Sequence, residues 1–209
     1  MSERFITFEG IEGVGKSTQL VAAQRYLTQV GVEVCVTREP GGTPVAEKIR
    51  ELLLDAKHTD MAPDTELLLM FAARAQHLAE KILPQLAAGR WVLCDRFTDA
   101  TYAYQGGGRG IGEQRVAEIE QWVQGSLQPS ATILLDASPE VGLARARSRC
   151  GDSDRFESEH LLFFQRVREA YLQRAAAHPE RFAVLDATEE VSVVTGKVCQ
   201  VLERLRSDS

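Results

Sequence analysis

Asparagine is missing from all 209 residues. That removes N-K-x-D, the pattern that reads a guanine base. No aspartate has a glycine three positions on, so D-x-x-G is missing too, and both absences argue against a GTPase. Long apolar runs are also missing. Phe5 to Phe8 is too short for a signal-peptide core, and nothing approaches the ~18 apolar residues of a membrane span. There is no cationic excess: 24 Lys and Arg face 30 Asp and Glu, a formal net charge of −6. A general nucleic-acid or anionic-membrane binder would need the opposite balance, although a local basic pocket stays open. Cysteine is sparse and scattered (Cys35, Cys94, Cys150, Cys199), with no C-x-x-C. Cys35 and Cys94 fall in strand-like apolar runs, so buried thiols in a reducing cytoplasm explain them better than a zinc or redox site.

What the chain does have is alternation. Five continuous apolar runs, RFITFE (4–9), VEVCVT (32–37), WVLCD (91–95), ATILLD (131–136) and RFAVLD (181–186), read as strands covered on both faces. Helical patterns separate them near 17–29, 44–55, 65–88, 98–105, 113–124, 139–148, 159–177 and 190–205. Strand–helix alternation without repeat or linker predicts one α/β domain over 1–209, with a doubly wound parallel sheet of five strands flanked by helices. Three strands end in aspartate, Asp95, Asp136 and Asp186. Ligands in such folds gather at the carboxyl ends of strands, although an aspartate there also serves as a cap or turn former.

GIEGVGKS (10–17) fits G-x-x-x-x-G-K-[ST] between a strand and a helix, the context that makes this pattern a phosphate cradle. Its backbone N–H groups converge on an anion, and the helix adds its positive end. The nucleotide-holding stretch is Gly10, Ile11, Glu12, Gly13, Val14, Gly15, Lys16, Ser17 and Thr18. Lys16 is placed for the β/γ-phosphates and Ser17 for Mg²⁺. A small phosphotransferase must add a second pocket and a cover that keeps water out.

Three segments supply such parts. In TELLLMFAARAQHLAE (65–80), Arg74 interrupts an apolar stripe of Leu67, Phe71 and Leu78. A guanidinium there either meets an anion, pairs with a structural carboxylate or reaches past the stripe's edge to water. TREPGGT (37–43) sets Arg38, Glu39 and Pro40 just after a strand. DRFTDATYAYQGGG (95–108) opens with Asp95 and Arg96 and continues into Thr101, Tyr102, Tyr104 and Gln105. Arg38, Arg74 and Arg96 are candidates to converge on one phosphate monoester, with Asp95 orienting the water shell of Mg²⁺.

FEGIEGVGKST, TREPGGT, LLLMFAARAQH and DRFTDATYAYQGGGRG, in this order, resemble the bacterial thymidylate kinases over nearly the whole chain. The resemblance implies a P-loop NTPase fold and transfer of the γ-phosphoryl of ATP to dTMP, with Mg²⁺, in a cytoplasmic homodimer. It implies that Phe71 stacks on thymine and that Arg74, Gln105 and Thr101 lie near the base. Arg38 and Arg96 then hold the dTMP phosphate with Glu39 and Pro40 alongside. Tyr102 crowds the site of a ribose 2′-hydroxyl, and Glu12 takes the sugar 3′-hydroxyl. An ionised carboxylate suits that last task because it only accepts.

Phosphoryl transfer also calls for a cation. Gly13 cannot supply one, but GLARARSRCGDSDRFE (142–157) carries Arg145, Arg147, Arg149 and Arg155 around Gly151. Arg145 is explained as a helix-end cation. The rest suit a mobile lid over about 147–158 that closes on ATP. The family includes members with a catalytic arginine in the phosphate loop and others with glycine there and basic residues in the lid. This chain resembles the second type, with Arg149 first, then Arg147 and Arg155, as catalytic candidates beside Lys16 and Asp95. Ser153 departs from the apolar residue expected before the Asp-Arg pair.

Overall fold

Continuous apolar runs need cover on both faces, and all five become strands of one sheet. The structure, a computed structural model, describes residues 4–58, 60–148, 155–156 and 159–207. β1 (Phe5–Glu9), β2 (Val34–Arg38), β3 (Trp91–Asp95), β4 (Ala131–Asp136) and β5 (Phe182–Asp186) pair in the order β2-β3-β1-β4-β5, every neighbour parallel. The chain reverses direction across the sheet on either side of β1, which opens a crevice at the carboxyl end of that strand. β1 is wholly buried, whereas β2 and β5 are edges and only partly covered.

Helices fill the intervals: α1 (Lys16–Gln29), α2 (Pro44–Leu54), α3 (Pro63–His77), α4 (Leu83–Ala87), α5 (Thr98–Thr101), α6 (Glu113–Gln124), α7 (Pro139–Arg147), α8 (Leu161–Ala177) and α9 (Val191–Ser207). Two helical stretches expected as single units contain wide turns. A π-helical segment, Leu78–Ile82, joins α3 to α4, and another, Tyr102–Gly108, continues α5. Several starts have local causes. Proline stands at the first turn of α2, α3 and α7, where its missing N–H costs nothing. The Ser138 hydroxyl accepts from the Val141 N–H at 3.5 Å, capping α7.

The main core packs Ile6, Phe8, Leu27, Leu93, Ile133, Phe164, Tyr171 and Val198 between sheet and helices. Behind β3, a second cluster sets the ring edge of Phe97 on Phe5 with centroids 4.9 Å apart. These packed layers hold the ends of β1, β2 and β3 rigidly side by side. Phe8 and Arg38 each stand opposite Asp95 in the strand register.

The strand-end aspartates part company. Asp136 pairs through both oxygens with Arg168 of α8, each contact 2.8 Å. Asp186 accepts from the Thr188 N–H at 2.8 Å and forms a turn. Only Asp95 stays with the crevice.

Candidate active site

The loop from Gly10 to Gly15 joins β1 to α1, and Lys16, Ser17 and Thr18 form the first residues of the helix. Lys16 is buried and folds back, donating to the carbonyl oxygens of Gly10 (3.0 Å) and Ile11 (2.7 Å). Burial, with the nearby Arg96 charge, lowers the Lys16 ammonium to about 8. Gly13 has a φ of 76°, and a Cβ there would lie 1.9 Å from the Gly142 carbonyl oxygen of α7. The vacancy at position 13 is therefore enforced by the helix beside it.

Glu12 turns its carboxylate away from this loop. It accepts from Arg96 Nη2 at 2.6 Å and from the Tyr104 hydroxyl at 2.5 Å. Burial would raise this carboxyl, but Arg96 and Lys16 outweigh it and hold the group below its ordinary value. Arg96 is the one non-glycine among the described residues with a left-handed backbone, at φ 67°. Its Nη1 also donates to Gly10 at 2.8 Å, and its guanidinium lies 4.8 Å from the centre of the Tyr104 ring. A strained arginine stapled to the phosphate loop is an arrangement that functional sites carry.

Beyond Glu12 is a cavity walled by Glu39, Pro40, Arg50, Leu54, Met70, Arg74, Arg96, Phe97, Ala100, Thr101, Tyr104, Gln105 and Phe156. Arg74 is buried between two rings, 4.8 Å from the centre of Phe71 and 5.1 Å from that of Phe97. Its Nε donates to Glu39 at 2.7 Å and its Nη2 to Thr101 at 3.0 Å, so a carboxylate answers the buried charge. Its Nη1 is buried without a hydrogen-bond partner. Glu39 also meets His77 Nδ1 at 3.0 Å, and His77 Nε2 lies 2.7 Å from the Thr37 hydroxyl.

Seven of the ten residues expected around the acceptor wall this cavity: Glu12, Glu39, Pro40, Arg74, Arg96, Thr101 and Gln105. The other three lie off this wall. Phe71 does not line it; the ring packs with Leu67, Tyr102 and Val116, and Met70 faces the cavity instead. One residue step rotates a helix by about 100°, enough to exchange these two positions. Tyr102, two positions before Tyr104 in the π-helical segment, is turned away as well. Its hydroxyl donates to Glu120 at 2.5 Å and Arg174 lies 3.6 Å above its ring, while Tyr104 takes the cavity side. Arg38 is half exposed and pairs with both oxygens of Glu47, at 3.0 and 2.8 Å, in a neighbouring cleft that includes Thr43 and Asp95. Arg50, brought back by α2, is the guanidinium that lines the cavity in its place.

The arginines of 147–158 also separate. Arg147 ends α7, the helix whose Gly142 and Ala146 approach Gly13, so it starts beside the phosphate loop. Arg149 lies outside the described residues, as do 150–154 and 157–158. Arg155 is not free for a phosphate. It is buried, donating from Nε to the Leu53 carbonyl at 2.9 Å and from Nη2 to Glu66 at 2.5 Å. Phe156 beside it closes over Tyr104, ring edge to face with centroids 5.9 Å apart.

Sequence reading missed Glu9 altogether. This carboxyl, at the end of β1, accepts from the Phe97 N–H and the Tyr171 hydroxyl, each at 2.7 Å. Burial and the proximity of Asp99 raise it to about 8. A charged residue closing a buried strand was the available signal.

A phosphate loop sharing a carboxylate with a second, arginine-walled cavity has counterparts among known proteins. The thymidylate kinase family model matches residues 8–198. The chain belongs to the thymidylate kinase family. It is 57% identical over 210 residues to the thymidylate kinase of Pseudomonas entomophila, covering 99% of this chain and 100% of that one. It is 58% identical over 194 residues to that of Pseudomonas putida strain GB-1, covering 93% and 92%. Among solved structures, thymidylate kinase from Ehrlichia chaffeensis superposes with a TM-score of 0.77 at 33% identity, over 95% of this chain and 97% of that one. The P-loop NTPase fold follows. The chain is an enzyme, and its reaction is that of the family, ATP-dependent phosphorylation of dTMP to dTDP.

Proposed function

We propose that the arginine-walled cavity holds dTMP and the Gly10–Thr18 loop holds ATP, with Glu12 at their junction. The observation that carries this reading is the position of Glu12. It belongs to the phosphate loop, lines the cavity that contains Arg74 and Gln105, and is paired with Arg96. Arg74, Thr101 and Gln105 then face the base, with Met70 and Phe97 against its ring. Arg96 and Arg50 receive the monophosphate, while Glu39 and Pro40 frame Arg74. Tyr104 stands beside Glu12 at the sugar. Arg38 would join only by leaving Glu47. Lys16 draws toward the transferring phosphate, and Arg147 and Arg149 supply the lid cation. Residues 1–209 act in this reading as one domain.

Mg²⁺ fits the chemistry of the crevice. Asp95 keeps one buried carboxylate oxygen, Oδ1, without a hydrogen-bond partner, and Ser17 is exposed at the start of α1. The two would hold the ion partly through water, and when bound it offsets charge on the β- and γ-phosphates. Among the described residues no helix is long and apolar enough to cross a membrane. The free thiols of Cys35, Cys94 and Cys199 suit a reducing compartment such as the cytoplasm. A homodimer is supported by apolar side chains left in water on the packed pair α3 and α6, Leu68 at 56% and Trp122 at 84% exposure. Trp122→Glu should then lower the mass measured by sedimentation, and an unchanged mass would remove this face from the interface.

The functional test is an acceptor panel with ATP in a coupled ADP-release assay. Turnover should be highest with dTMP and lower with dUMP, dCMP and AMP. Equal or better turnover with another monophosphate would overturn the assignment of the cavity.

A further inference from the structure

Glu66 is fully buried in the first turns of α3, outside the cavity wall and without a role in the chemistry above. Donors from three residues, Arg155, Arg109 and Gln105, converge on it, and a second Arg109 nitrogen stands at ion-pair distance. Arg155 Nη2 reaches Oε2 at 2.5 Å, Arg109 Nε lies 3.2 Å from each oxygen, and Arg109 Nη2 lies 3.1 Å from Oε2. The remaining contact is the Gln105 amide, whose Nε2 donates to Oε1 at 2.7 Å. Every one of these contacts presents an N–H to the carboxylate, which therefore serves here as an acceptor.

That chemistry decides which way the Gln105 amide turns. An acceptor-only partner must face the amide nitrogen, because facing the oxygen would set two acceptors against each other. Gln105 lines the cavity, so the group left for a ligand is its carbonyl oxygen. We infer that Glu66 is a positioning residue for base selection: it fixes the Gln105 carbonyl as an acceptor that suits the N3–H of thymine or uracil and opposes the bare N3 of cytosine. A buried acceptor with no donor opposite discriminates more strongly than apolar contact does. The two arginines hold the carboxylate still, since both of its oxygens accept from a guanidinium. This inference rests on the reading of the cavity as the dTMP site.

Glu66→Gln removes the constraint, since an amide at 66 pairs with either orientation of Gln105. The ratio of kcat/KM for dTMP over dCMP should fall by about tenfold or more, with Kd replacing kcat/KM where dCMP turns over too slowly. The dTMP over dUMP ratio should stay within about twofold, because both bases carry N3–H. Damage to the fold alone would lower all three acceptors in parallel. Glu66→Asp keeps the charge for Arg109 and Arg155 but draws the carboxylate back by one methylene. It should show the same selective loss at smaller scale, and it carries the test if Glu66→Gln does not fold. Parallel loss on all acceptors, or an unchanged dTMP over dCMP ratio, overturns the inference. Wild-type enzyme without preference for dTMP over dCMP would instead overturn the assignment of the cavity.

Discussion

Arg96 and Glu12 meet at 2.6 Å, joining the end of β3 to the phosphate loop across two segments 84 residues apart. The same guanidinium reaches the Tyr171 hydroxyl at 3.2 Å, so it ties loop, cavity and α8 together. Arg96→Ala leaves Glu12 without its charge partner in a site only 19% exposed. The expected cost is about 2–3 kcal/mol in unfolding free energy, somewhat below that of a wholly buried pair. The KM for dTMP should rise as well. Chemical denaturation and acceptor kinetics check both, and an unchanged KM would remove Arg96 from the monophosphate.

Met70 and Phe71 divide two tasks between neighbouring positions. Phe71→Ala empties the packing against Leu67, Tyr102 and Val116 and should cost about 3–5 kcal/mol of stability. Met70→Ala should cost much less stability yet raise the KM for dTMP several-fold. The reverse pattern would put the ring, and not the thioether, against the base.

Lys16 stands at about 8 and donates to the carbonyl oxygens of Gly10 and Ile11. Bound phosphates favour the ammonium and raise that value. ATP binding at pH 8 to 8.5 should take up a fraction of a proton, and far less at pH 7. Calorimetry in buffers of different ionisation enthalpy reads this directly. Equal uptake at both pH values would assign the proton to another group.

Glu9 titrates at about 8 in the folded chain against 4.5 as its ordinary value. Between those limits the unfolded chain has lost the proton that the folded chain retains, so stability falls as pH rises through the window. Glu9→Gln cannot ionise. The Tm of wild type relative to Glu9→Gln should therefore decline from pH 5 to pH 8 and level off above it. A difference independent of pH would show that Glu9 is already ionised at pH 5.

Arg149→Ala should lower kcat far more than it weakens dTMP binding, as expected of a cation that acts on the moving phosphoryl. Arg155→Ala should instead act through stability, because its partners are Glu66 and the Leu53 carbonyl. Single-turnover rates and thermal unfolding separate the two. A large kcat loss with unchanged stability for Arg155→Ala would return it to the lid chemistry.

The strands, their parallel pairing and the phosphate loop were legible because each depends on local pattern: continuous apolar runs, glycine spacing and a following helix. The seven expected residues that wall the cavity were legible from their segments: five fall in two short segments after β2 and β3, whereas Glu12 comes from the phosphate loop and Arg74 from α3, where a charge interrupts an apolar stripe. The choice between Met70 and Phe71, or Tyr102 and Tyr104, was not, since both members of each pair satisfy the same pattern. Packing of α6 and α8 against one side decides it. Arg50 and Arg155 were misread or missed for a related cause. An arginine declares its charge in the sequence, but not which carboxylate, carbonyl or cavity the fold brings to it.

The contact between Gly13 and Gly142 bears on how such a site can change over time. A one-codon change that places arginine in the phosphate loop meets the backbone of α7 head-on, so that route to a second cation is closed from the outset. The helix would have to retreat first, and α7 is the stalk from which Arg147 and the following segment extend. If Arg147 and Arg149 supply the cation as proposed, moving the charge to the loop would dislodge that supply before the new one was in place. The two solutions to one catalytic need thus exclude each other within this backbone, and the passage between them has no single-step intermediate that retains both.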